Sequence, residues 1–323
     1  MTTTGATRAV GQRPLGETGY TVSELGLGCA SYWARPGFPE HRARAVFEAA
    51  LDCGITLFDT GGSYAGGEAE RRLGRLVKAS GARGEALVIA TKAGTRADDR
   101  GRIVRDFSPD GLIRQVDTSL RRLGLERVGL LQLHGPESGD LTDELRTGLE
   151  RLRDQGKTSM IGINAGSAVL EQVVGQSPFD VLMPFISVLQ PHNVALAQKA
   201  AGAGQGVLAA EPLARMRFAP PLSRWLFSAS GLWYLARTLA NRGPGRDQHQ
   251  CLRTAGAAPG GSGAQLALAW VLARPEVSCA VFGTTRPEHV RELALACNQS
   301  MPATVGDAIA ACHRSRLDER TRE

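Results

Sequence analysis

The chain has 323 residues, with 38 Lys or Arg against 32 Asp or Glu, for a formal charge of +6. Hydrophobic residues make up 42% and charged residues 22%, a globular balance that excludes disorder, collagen and coiled coil. Only 4 of the basic residues are Lys, and the Arg are scattered without a run of like charge, which argues against a nucleic-acid partner. The six Cys lie far apart, with no spacing suited to zinc or another metal. No stretch approaches the ~18 consecutive apolar residues that cross a membrane, and the first ten residues lack an apolar leader core. A reduced cytoplasmic protein without metal, nucleic-acid or membrane partners is expected.

Residues 1–12 read as a flexible tail, and residues 13–323 as a single domain. Residues 13–30 form a hairpin-like stretch turning at Glu17-Thr18-Gly19, with a strand over 25–29. A regular alternation then begins. Helix is expected over 41–52 and strand over 55–59, then helix over 68–79 and strand over 86–91. Ser108 caps a helix that has Pro109 at its first position and runs to about 123. Strand 128–133, helix 142–155, strand 160–163, helix 167–174, strand 181–188, helix 194–203 and strand 206–210 continue the pattern. An irregular stretch over about 214–261 follows, then helix 262–274, strand 278–282, helix 286–296 and a short helix over 305–314. The strands are nearly continuous apolar runs, as parallel strands buried on both faces require. Eight strand–helix units and no G-x-G-x-x-G after the first favour a (β/α)8 TIM barrel, with an N-terminal β-hairpin and a long loop after strand 7.

Barrel chemistry sits at the C-terminal ends of the strands. Three successive ends carry ionisable groups where an apolar run stops: Asp59 with Tyr64 shortly after, Lys92, and His134. In this Lys-poor chain, a Lys ending an apolar strand stands out. Asp59 would keep Lys92 charged, the cation would make Tyr64 a better acid, and His134 would fix a carbonyl oxygen. That set delivers a proton to a developing alkoxide, so electrons must come from a bound cofactor.

The sequence resembles the aldo-keto reductases over about residues 12–297. The likeness rests on Arg13-Pro-Leu-Gly, Val22-Ser-Glu-Leu-Gly-Leu-Gly28, Phe58-Asp-Thr, Tyr64-x-x-Gly67-x-x-Glu70-x-x-Leu73-Gly74, Thr91-Lys92, Leu133-His134, Ile161-Gly162 and Phe282-Gly283-Thr-Thr-Arg-Pro-Glu-His289. The resemblance implies a barrel that transfers hydride from NADPH to an aldehyde or ketone. It places the family's catalytic tetrad on Asp59, Tyr64, Lys92 and His134. Alkene-reducing members carry Glu in place of the His, so His134 favours carbonyl reduction.

The cofactor would meet Gly283, Thr284, Thr285, Arg286, His289 and Glu292 at the start of the last long helix. There the resemblance implies a site for the 2′-phosphate and adenosine. At the nicotinamide end the sequence departs from the family. The usual Ser-Asn reads Asn164-Ala165, the usual Gln reads Met183, and the stacking Tyr reads Ala210, followed by Glu211, Pro212 and Leu213. A second reading therefore keeps the barrel and the acid–base set but runs a redox-neutral dehydration or rearrangement. A third is a non-catalytic nucleotide-sensing subunit, against which the intact tetrad argues. Tyr32 and Trp33 after the first strand, with Trp225 and Trp233 in the long loop, are expected to line a pocket for a bulky, partly apolar small-molecule carbonyl substrate. Arg- and Ala-heavy usage points to a GC-rich bacterial genome, where such enzymes often serve secondary metabolism.

Overall fold

The apolar runs and glycine-punctuated helices assemble into a closed parallel barrel. The computed structural model describes residues 9–98, 102–213 and 262–297, with positions 232, 303, 306, 307 and 309–311. The N-terminal hairpin pairs β1 (Gln12–Pro14) with β2 (Thr21–Ser23). Eight strands then close the barrel: β3 (Leu25–Gly28), β4 (Leu57–Asp59), β5 (Val88–Ala93), β8 (Val128–His134), β9 (Thr158–Asn164), β10 (Val181–Leu182), β11 (Gly206–Ala210) and β12 (Cys279–Phe282). The helices are α1 (Glu40–Asp52), α2 (Glu68–Ala79), α3 (Ala82–Glu85), α4 (Pro109–Leu123), α5 (Asp143–Asp154), α6 (Ser167–Glu171), α7 (Asn193–Gly202), α8 (Gly263–Leu272) and α9 (Pro287–Ala296). The expected cap holds, with Ser108 accepting from Gly111 N at 3.2 Å. Among the described residues no helix is long and apolar enough to cross a membrane.

Two apolar clusters follow from the period of two along each strand. Outward residues pack against the helices, whereas Leu57, Val88, Ala90, Leu130, Met160, Val181, Leu208 and Cys279 fill the barrel interior. Leu15 and Val22 of the hairpin join that inner cluster, fully buried, and plug the lower end of the barrel. Arg13 anchors the plug by donating to the carbonyls of Leu272, Arg274 and Val277 near the end of α8. Residues 1–8 of the expected tail lie outside the described residues. Of the remainder, Val10 is buried and its N–H donates to Cys53 O at 2.9 Å, and Gln12 opens β1.

The differences from expectation have local causes. The run over 181–188 forms a ladder only at Val181–Leu182. Pro184 has no N–H to continue it, and pairing resumes only as an isolated Phe185–Ala210 bridge. Helix α6 stops at Glu171, and Gly175 turns the chain at φ +67°. Strands β5, β8 and β9 run one or two residues past their apolar cores, so Lys92, His134 and Asn164 are ladder residues rather than loop residues. A second hairpin, β6 (Thr95–Ala97) with β7 (Ile103–Arg105), rises from the end of β5. The long stretch over 214–261, with Trp225 and Trp233, lies outside the described residues except for the exposed, helical Leu232. In the expected last helix, positions 306, 307 and 309–311 are helical, with Ile309 in the outer core.

Candidate active site

Alternation places Asp59, Lys92 and Gln132 on the inward side, one layer above the apolar filling, and all three are buried. Lys92 Nζ donates to Asp59 Oδ2 at 2.5 Å and to Thr60 O at 2.9 Å. Gln132 Nε2 donates to the other carboxylate oxygen, Asp59 Oδ1, at 2.9 Å. Burial pulls the Lys92 ammonium toward neutrality. The attraction of Asp59 and Tyr64, with side-chain hydrogen bonds to both, outweighs it, so Lys92 titrates above its ordinary value and stays charged.

Tyr64 reaches this cation from a short 3₁₀ turn, Tyr64–Gly67, that follows two glycines. A Cβ on Gly61 would stand 3.2 Å from the Tyr64 ring and 3.4 Å from Lys92 Cβ, so a side chain there would press the ring as it folds back, and glycine avoids the crowding. Lys92 Nζ then lies 5.2 Å from the ring centroid. Below the turn, buried Glu70 accepts from Thr91 Oγ1 at 2.7 Å and from Arg122 at 3.1 Å, while Arg122 also donates to Gly62 O. This network ties the loop to α2, β5 and α4.

The His134 ring meets Tyr64 edge-on, with centroids 5.5 Å apart. Its Nδ1 pairs with Ser63 Oγ at 3.3 Å, and Thr95 Oγ1 donates to its backbone carbonyl. Burial, with Lys92 a second cause, pushes the imidazole down to about 4. It is therefore neutral at ordinary pH and holds one N–H as a donor. The four residues singled out from the sequence thus converge at one strand end of the barrel. Gln132, Ser63 and Glu70 belong to the same construction; Gln132 and Ser63 were missed, and Glu70 had entered only as part of a motif. For Gln132 a signal existed, because two residues before His134 on one strand means the same face.

A pocket of about 440 Å³ opens beside the Tyr64 turn, lined by Tyr32, Arg35, Pro36, Gly37 and Ala65. Arg72, almost fully buried, holds the loop that forms one wall. Its guanidinium donates to the carbonyls of Trp33, Arg35 and Phe38 and pairs with Glu40 at 2.9 Å. Tyr32 lines the pocket, edge-on to Phe38 at 5.7 Å. Trp33 does not. It is 2% exposed, its indole N–H donates to Ala43 O at 3.3 Å, and it packs in the outer core.

On the far side of the mouth the inward positions are small: Ala210, Gly283 and Gly28. A Cβ on Gly283 would meet only Gly28 O, at 3.4 Å. These three strand-end positions carry nothing larger than a methyl group, and the start of α9 follows shortly after Gly283. There Arg286 is exposed and makes no ion pair among the described residues, and Thr285 is half-buried beside it. Other expected contacts are already engaged. Thr284 is buried, with its hydroxyl on His289 Nδ1 and Arg286 N. Glu292 accepts from Ser262 Oγ at 2.5 Å, at the start of α8. Met183 is buried in the barrel interior, and its carbonyl accepts from Asn164 Nδ2 at 2.9 Å. Among the described residues no donor reaches the Asn164 side-chain oxygen at this strand end. Glu211 holds a strained φ of +53°, Pro212 is buried, and Leu213 packs on the outer core.

Fold and site together define a (β/α)8 barrel enzyme. The model of the aldo/keto reductase family matches residues 24–314, and the chain belongs to that family, an oxidoreductase family that reduces carbonyl compounds. An uncharacterised oxidoreductase of Bacillus subtilis, YqkF, is 27% identical over 300 residues, 89% of this chain and 91% of that protein. L-galactose dehydrogenase of Arabidopsis thaliana is 32% identical over 62% of this chain and 65% of its own length. Among solved structures, the holo form of aldo-keto reductase AKR11C1 from Bacillus halodurans matches with a TM-score of 0.78 and 26% identity. That match covers 94% of this chain and 96% of the other.

Proposed function

We propose that the protein reduces an aldehyde or ketone to an alcohol with NADPH, and that Tyr64 is the proton donor. The observation that carries this reading is the buried chain Gln132–Asp59–Lys92–Tyr64, with a neutral His134 edge-on to the phenol. The chemistry supplied by bound NADPH is hydride for the carbonyl carbon. Tyr64 O–H gives its proton to the carbonyl oxygen. Lys92 beside the ring lowers the cost of the phenolate left behind, and Asp59 keeps Lys92 charged. His134, neutral, offers an N–H to the same oxygen and does not compete as an acid.

The small residues Ala210, Gly283 and Gly28 and the exposed Arg286 at the start of α9 fit a dinucleotide with a 2′-phosphate. Asn164 would offer its side-chain oxygen to the nicotinamide carboxamide. The pocket beside Tyr32 and Ala65 fits a substrate with a bulky body, and a cytoplasmic supply of NADPH suits the reaction. The test is spectroscopic: oxidation of NADPH with a panel of aldehydes and ketones, comparing wild type with Tyr64→Phe. We expect kcat to fall about 10²–10⁴-fold with KM nearly unchanged. Equal rates would remove Tyr64 from the role.

A further inference from the structure

We propose that Gln132 is a positioning residue for proton delivery, fixing the Asp59 carboxylate so that its second oxygen is reserved for Lys92. This inference rests on the reading of Tyr64, Lys92 and Asp59 given above. Gln132 is fully buried, and its Nε2 donates to Asp59 Oδ1 at 2.9 Å while Lys92 Nζ takes Asp59 Oδ2 at 2.5 Å. Two donors thus claim one oxygen each, and the carboxylate has no freedom to rotate about its Cβ–Cγ bond. Only one amide orientation serves, because turning the amide would set its oxygen against the carboxylate.

The barrel makes room for this side chain. Gln132 pairs in register with Gly162 on β9, where a Cβ would crowd Val181 O at 2.9 Å, Leu130 at 3.1 Å and Gln132 Cγ at 3.2 Å. The arrangement also has a cost. Gln132 Oε1 is buried and has no hydrogen-bond partner among the described residues. A Met of the same length would fill the space without that orphaned acceptor. Packing alone therefore does not account for a glutamine here, whereas a donor aimed at Asp59 does. Without it, Asp59 Oδ1 is a bare buried oxygen, the potential around Lys92 and Tyr64 becomes more negative, and the phenol holds its proton more tightly.

The experiment measures pH profiles of kcat and KM, with melting temperatures, for wild type, Gln132→Met, Gln132→Glu and Tyr64→Phe in one NADPH-oxidation assay. For Gln132→Met we expect kcat to fall about tenfold, KM to stay within about twofold and the basic limb to move to higher pH, with only a small fall in melting temperature, because removing the orphaned Gln132 Oε1 partly offsets the donor lost to Asp59 Oδ1. In Gln132→Glu the introduced carboxyl donates only when protonated, so kcat climbs toward wild type as the pH is lowered. A misfolded variant gives no such recovery. If Tyr64→Phe is inactive while Gln132→Met keeps the wild-type kcat and pH profile, the positioning role is overturned and the reading of Tyr64 stands. If both Gln132 variants lose activity in step with melting temperature at every pH, Gln132 is only structural. If Tyr64→Phe is fully active, the underlying reading fails and the inference with it.

Discussion

Replacing His134 by Gln should make the protein comparatively more resistant to acid. The imidazole is pushed down from its ordinary 6.5 to about 4, first by burial and then by Lys92. The unfolded chain takes up a proton near pH 6.5, whereas the folded one refuses it until about pH 4. The neutral imidazole's contribution is fully present above pH 6.5 and is lost as the pH falls toward 4. A separation of that size corresponds to about 3 kcal/mol, most of it gone by pH 4.5. Glutamine has nothing to protonate. The assay is urea unfolding of wild type and His134→Gln at pH 7.5 and 4.5. Loss of the Ser63 contact lowers the variant equally at both values and cancels. The gap between the two proteins should therefore shift in favour of the variant by about 2–3 kcal/mol on going to pH 4.5. A gap that does not change with pH would show that His134 titrates near its ordinary value and refute the reasoning. It would also return His134 as a rival acid to Tyr64.

Two further outcomes concern an exposed arginine, Arg286, and a buried one, Arg72. Arg286→Ala should weaken NADPH binding about 10–100-fold, the worth of one charge-assisted contact, and leave NADH binding unchanged. Fluorescence titration with both nucleotides decides, and equal weakening would place the 2′-phosphate elsewhere. Arg72→Leu should lower stability by about 1–3 kcal/mol, because it strips the donor from the carbonyls of Trp33, Arg35 and Phe38, whereas the exposed Glu40 keeps Arg75. The Tyr32 wall should loosen as well, raising KM for bulky carbonyls more than for small ones. A loss under about 1 kcal/mol in urea unfolding would mean that the loop is held by other contacts.

The barrel was legible because its strands are buried on both faces, which writes them as apolar runs separated by helical periods and glycine stops. The same feature hid where the strands end. Lys92 and His134 read as residues beyond the strand because they are polar, yet each still holds a ladder position, paired with Gln132 and Asn164. Polarity at a barrel end marks the inner surface of the mouth, not the end of pairing. Trp33 was misplaced for the converse reason. An aromatic after the first strand reads as pocket lining, but Arg72, thirty-nine positions away, draws the Trp33 carbonyl inward and its guanidinium lies 5.5 Å from the indole centroid. Glu292 and Thr284 were read as cofactor contacts from their place in and just before the first turns of α9, and their partners inside the fold could not be read the same way. Long-range partners such as Ser262 Oγ on Glu292 are not encoded in local spacing.

The lopsided basic composition acquires a physical reason at this point. Arg13, Arg72 and Arg122 each bind backbone carbonyls of separate segments, the loop and helix ends that a barrel must tie down. A planar fork of five donors suits that task, and a single ammonium does not. At the end of β5 the demand is reversed. The cation must fit a nearly closed site, place Nζ 2.5 Å from one carboxylate oxygen and 2.9 Å from Thr60 O, and still face the Tyr64 ring. A compact ammonium on a slim stem does this, whereas a guanidinium would bridge both Asp59 oxygens and displace the Gln132 amide. Lys92 is then the position where the chain's general preference for Arg gives way to chemistry, and Gln132 is the residue that keeps the second carboxylate oxygen out of reach.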